Sequence, residues 1–179
     1  MKKVDATYTL IGGLLLATGF LSNAFIYITP FNLLHELGHA LVGMWFGKVE
    51  ELTLTYCLIS VRNPNAFNDF LINIAGYSGE AWMCYGLFYL LTAVLRSPFG
   101  WLFFGAAHGT LVYTFAITPF PQPDIPNMGT ACVILLIIGA ALLFSWRTAV
   151  RLWRTQLHPP DRQPVYNYFS HPRGTKLDK

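Results

Sequence analysis

From Phe31 to Phe46 the chain reads FNLLHELGHALVGMWF, an apolar run whose only ionisable side chains are His35, Glu36 and His39. His35-Glu36-Leu37-Gly38-His39 is an HExxH pattern. Four residues advance a helix by about 400°, so both imidazoles leave the same face one turn apart. Imidazoles placed this way can share a tetrahedral zinc ion, and Glu36 stands where it can take a proton from water at that ion. Ionisable side chains at membrane depth are costly, and a functional site is the default reason to keep them.

The sequence around this run is also apolar. Of 179 residues, 54% are hydrophobic and 12% charged, about half the charged share of a typical soluble domain. Runs long enough to cross a bilayer occupy 8–28, 70–95, 101–118 and 130–146. The motif segment is shorter, roughly 24 Å as a helix, and counts as a further span if neighbouring helices screen its polar face. The expected fold is therefore an all-α integral membrane bundle of about five helices. It divides into a membrane domain over 1–146 and a basic juxtamembrane helix end with a disordered tail over 147–179. Cys57, Cys84 and Cys132 form no CxxC pair and no disulfide framework, and read as small apolar fillers. The net charge of +3 comes from the C-terminal arginines and lysines. Such a stretch suits a cytoplasmic anchor at the lipid surface, not a nucleic-acid interface.

Lys2, Lys3, the apolar core 10–21 and Ser22-Asn23-Ala24 together resemble a secretory signal with a cleavage site. The apolar run continues past that point to Ile28, which favours an uncleaved membrane helix. Pro30 ends the first segment, the second restarts at once, and Gly47 is its expected C-cap. A tight helical hairpin is expected from these two segments. Over 49–61 the pattern changes, with Leu52, Leu54, Tyr56 and Leu58 alternating with Thr53, Thr55 and Cys57. Period two with threonine and tyrosine predicts a small β strand or hairpin between helices two and three. Arg62-Asn63-Pro64-Asn65 closes it as a turn. In the third segment, Ala75, Gly76, Ser78 and Gly79 permit close helix approach. Four prolines over 119–126 break the chain between the last two segments. Five alternating spans with the C-terminus inside leave Arg96 and the tail in the cytoplasm, eight basic residues against Lys2, Lys3, Lys48 and Arg62 outside.

A catalytic zinc site usually has three protein ligands and an open position. Of the nine carboxylates, most lie in the flanks or beside the hairpin. Glu80, Asp124 and the mid-segment His108 remain as candidates for the third ligand. Asp124 sits in the proline-broken stretch, where irregular backbone at membrane depth is tolerated if protein covers it or water reaches it. It also reads as a plain turn aspartate. Glu80 follows the motif on a separate helix, and otherwise pairs within the bundle. His108 reads as a ligand, as a contact behind a ligand, or as a core histidine bonded to a carbonyl.

HExxH in an apolar helix, a glycine-centred motif from Gly76 and a proline-rich approach to Asp124 occur here in that order, with a β-like stretch between the first two. This ordered set resembles the site-2 protease family of intramembrane zinc metalloproteases, in particular compact members without a PDZ-like module. The resemblance covers roughly 31–131. It implies Zn2+ held by His35, His39 and Asp124, with Glu36 as general base. It also implies a membrane-embedded protein substrate that pairs with the extended segment. Two positions depart from the family pattern. Ile125 and Pro126 follow Asp124 where glycine is usual, and Glu80 stands where the glycine motif usually ends in asparagine or a small residue. The expected activity is hydrolysis of peptide bonds within the membrane. A non-catalytic relative acting as a membrane-protein scaffold, and a zinc transporter, are the alternatives.

Overall fold

The computed structural model describes residues 6–26, 30–117, 121–122 and 124–157. These form α1 (Ala6–Phe25), α2 (Asn32–Phe46), β1 (Gly47–Leu52), β2 (Cys57–Val61), α3 (Ala66–Tyr89), α4 (Gly100–Val112) and α5 (Met128–Leu157). A π-helical turn closes α3 at Leu90–Val94, and another closes α4 at Tyr113–Ile117. Five helices with a small antiparallel hairpin between the second and third are as expected, but of the five expected membrane spans only two helices among the described residues have the length and composition of one. By length and composition, Ala6–Phe25 and Met128–Thr155 can cross a bilayer. The last helix carries Arg147, Arg151 and Arg154 and ends at Leu157. Lys2, Lys3, Pro119, Pro123 and the expected disordered tail beyond 157 lie outside the described residues.

Local chemistry sets the element boundaries. The Asn65 side chain accepts from the backbone N–H groups of Phe67 and Asn68, 3.0 Å each, so the turn after the hairpin ends as the N-cap of α3. Asn127 does the same for α5, accepting from the Thr130 N–H at 2.9 Å. Gly47 is the C-cap of α2 and, with extended backbone, the first residue of β1. β1 pairs with β2 from Gly47–Val61 to Leu52–Cys57, with an irregularity between Val49 and Glu51. Ile59 lies on α2 where Gly43 leaves room for it. Cys57, Ile59 and Val61 therefore face inward, and Leu52, Leu54, Tyr56 and Leu58 are exposed.

The two N-terminal helices do not form the expected hairpin. α1 packs on α4, while α2 packs on α3. Gly12 meets Trp101, Gly105 meets Leu16, and Gly109 meets Phe20 and Ala24, so α1 and α4 run parallel. Going from Gly100 beside Thr92 to Thr110 beside Glu80, α4 runs antiparallel to α3. His39 lies at Ile72 and His35 at Glu80, so α2 also opposes α3. α1 and α2 consequently point the same way, one continuing the other past a short connection. The physical reason lies in small residues. A side chain on Gly19 or Gly105 would strike the backbone of the facing helix, and this close fit seats α1 on α4. Phe88, Trp101 and Phe104 form an aromatic cluster within the core, with ring centroids 4.7–5.8 Å apart. Ile134 and Ile138 of α5 are fully buried in the same cluster.

Candidate metal centre

Helical spacing delivers the two histidines as expected. Their Nε2 atoms face each other 3.0 Å apart. Asp124 completes the set, with Oδ2 3.2 Å from His35 Nε2 and Oδ1 3.6 Å from His39 Nε2. These three residues are the group of ligand atoms that could hold a metal ion among the described residues. Ligands about 2.0–2.1 Å from a tetrahedral zinc stand roughly 3.3 Å from each other, which this spacing matches. A second observation supports the fit. A Cβ on Gly76 would strike the Nε2 atoms of both imidazoles, so only glycine leaves this space clear.

Each imidazole has a partner behind it. His39 Nδ1 lies 2.7 Å from the Ile72 carbonyl. A carbonyl only accepts, so the proton sits on Nδ1 and the Nε2 lone pair faces the centre. His35 packs edge-on against Tyr77, with centroids 4.4 Å apart, and its Nδ1 lies 3.6 Å from Glu80 Oε2. Glu80 is wholly buried and is not among the grouped ligand atoms. His108 donates from Nδ1 to the Phe104 carbonyl at 2.7 Å and packs against the Phe104 ring and, edge-on, against Tyr85. It is a core histidine, outside the grouped ligands.

The chain around Asp124 explains how this carboxylate is presented, with Ile125 directly after it. Gln122 and Ile125 bond each other through their backbones at 2.9 and 3.3 Å, a tight turn with Asp124 inside it. Ile125 is 1% exposed, so the residue after the aspartate anchors the turn in the core. The Tyr77 hydroxyl donates to Gln122 Oε1 at 3.0 Å and ties the turn to α3.

Beside the centre lies a cavity of about 420 Å³, lined by Glu36, His39, Tyr56, Cys57, Asn73 and Asp124 among others. Glu36 therefore shares this cavity with His39 and Asp124. The hairpin tip forms one wall, held by an Asn32 side chain that donates to the Leu54 carbonyl. Burial, then the charge of nearby Glu36, pushes the Cys57 thiol up. A hydrogen bond to Glu51, with some burial, raises the Tyr56 phenol.

Sequence reasoning missed Asn23, Asn73, Tyr77 and Gln122. Asn23 is a lone amide in an apolar helix, a signal that was present but lay within the apparent cleavage site. Nothing local marks the other three as neighbours of the histidines. No family model matches the chain, and neither the curated proteins nor the solved structures include a significant match.

Proposed function

We propose that the protein is an intramembrane zinc metalloendopeptidase that cleaves membrane-embedded protein substrates. The convergence of His35, His39 and Asp124 on one point, with Glu36 on the adjoining cavity, carries this reading. The outer surface supports a bilayer setting. Leu10, Leu14, Leu136, Leu143 and Phe144 are 59–76% exposed, whereas Asn23, Glu80 and Thr110 are fully buried. Polar groups inside and leucines outside suit lipid as the solvent.

A bound zinc ion would supply Lewis acidity to the scissile carbonyl and make its coordinated water more acidic. Glu36 accepts a proton from the attacking water and passes it to the leaving amine. His39 is held in the required tautomer by Ile72, and the Tyr77–Gln122 bond keeps Asp124 in place. A substrate helix must unwind before its backbone can enter the cavity. The exposed faces of Leu54, Tyr56 and Leu58 give its apolar side chains a surface beside that entrance.

The chain crosses the bilayer four times on this reading, because α1 and α2 share one direction and count as one broken crossing. Both ends then face the cytoplasm and the hairpin faces away. Ten basic residues, Lys2, Lys3, Arg96 and those of α5 and the tail, lie inside against Lys48 and Arg62 outside. This is a stronger positive-inside bias than five alternating spans produce.

The deciding experiment uses purified protein in liposomes with a panel of single-span substrates. Wild type binds about one zinc per chain and cleaves; Glu36→Gln binds the same zinc and does not. Cleavage by Glu36→Gln refutes the mechanism. Zinc binding with no cleavage of any substrate by wild type favours the scaffold alternative, and zinc flux into the liposomes favours the transporter.

A further inference from the structure

Glu80 is the most thoroughly buried carboxylate in the described chain, and three helices converge on it. Asn23 of α1 donates from Nδ2 to Oε1 at 2.6 Å, and Thr110 of α4 donates to the same oxygen at 2.8 Å. Asn23 also donates to Thr110 Oγ1 at 2.8 Å and to the Ala106 carbonyl at 3.0 Å. All three side chains have 0% exposure. The other carboxylate oxygen, Oε2, points to His35 Nδ1 at 3.6 Å. An isolated buried carboxylate is expensive, so its position is informative.

We infer that Glu80 is a positioning residue for His35, and that α1 belongs to the metal centre through the line Asn23–Glu80–His35. The inference rests on the metal site proposed above. A carboxylate behind a ligating imidazole fixes the ring and its tautomer and raises the basicity of the coordinating nitrogen. His39 receives this support from a backbone carbonyl of α3. For His35 the side chain of Glu80 stands in that place, Oε2 lying 3.6 Å from Nδ1. Two donors pin Oε1, so the carboxylate cannot rotate away, and Oε2 stays aimed at Nδ1.

Acceptor chemistry is required at both ends. Glutamate accepts through both oxygens, but glutamine carries one acceptor and one donor. Either orientation of a glutamine amide sets its N–H₂ against a donor, whether His35 Nδ1–H or the Asn23 and Thr110 pair. Glu80→Gln keeps the volume and removes the function.

The test measures zinc affinity by competition with a chromophoric chelator, and visible absorption after cobalt substitution, on the full chain in detergent. Glu80→Gln is expected to bind zinc 10–100-fold more weakly and to shift the cobalt bands, which report ligand geometry. Affinity within twofold of wild type overturns the inference while the metal reading stands. Weaker binding with unchanged cobalt bands reports looser packing and also overturns it. If the wild type itself binds no zinc, the metal reading fails and this inference fails with it. If Glu80→Gln does not accumulate as folded protein, Asn23→Ala replaces it, leaving the carboxylate but freeing it to rotate. A several-fold weaker affinity with shifted cobalt bands is then expected, and unchanged binding overturns the inference.

Discussion

A missing side chain is as important to the centre as the ligands. Gly76 faces the Nε2 atoms of His35 and His39, and one added carbon meets both. Gly76→Ala is therefore expected to lose stoichiometric zinc while keeping its helical circular dichroism, with metal content measured by elemental analysis. Retained zinc would mean that the imidazoles have slack the structure does not show. At the same scale, Asp124→Ala should empty the site, and His108→Ala should leave zinc content unchanged. Among the described residues, the His108 hydrogen bond goes to Phe104 of its own helix. The histidine pair and Glu36 were legible from spacing alone, because four residues along a helix define a face. Spacing left Asp124, Glu80 and His108 open, each on a different element; the resemblance implied Asp124, and the fold brings that carboxylate beside both imidazoles.

Among the elements, the short turn after α4 is the most telling. In a loop, an aspartate has freedom to miss its target. Here the Gln122–Ile125 backbone bonds, buried Ile125 and the Tyr77 hydroxyl restrict it. Ile125→Ala removes a fully buried side chain, at a cost of about 2–5 kcal/mol, and should lower both the melting temperature and zinc affinity. Tyr77→Phe deletes one hydrogen bond worth about 1 kcal/mol. It should weaken zinc severalfold and shift the melting temperature little, as read by calorimetry beside the chelator assay. Equal zinc affinity in Tyr77→Phe would detach the Tyr77–Gln122 tie from the site. The hairpin was legible as an element from its period-two pattern. Which face turns inward was not, because alternating leucines suit either lipid or core, and the room beside Gly43 settled it.

For the whole molecule, helix direction decides topology. Parallel α1 and α4, with α2 and α4 both opposing α3, place the start of α1 and the end of α2 at opposite ends of the bundle. In a cysteine-free background, Ala6→Cys and Arg154→Cys should label from one side of the membrane with an impermeant maleimide, and Lys48→Cys from the other. Labelling of Ala6→Cys together with Lys48→Cys would restore five alternating crossings. The basic-residue count was available from the start, but its division between the sides changes with the number of crossings assumed.

By itself the sequence determined the helical class, the hairpin after the second helix, and the placing of His35 and His39 on one helix face with Glu36 beside them. Each of these follows from interactions within about a dozen residues, where periodicity and caps act. The tertiary structure alone decided that Glu80 stands behind His35 and that α1 runs with α2 instead of folding back on it; it also brings Asp124 within 3.6 Å of both imidazoles. Those outcomes depend on close contacts between backbones far apart in the chain, such as Gly19 and Gly105 across the α1–α4 seam. No local pattern encodes a contact of that kind.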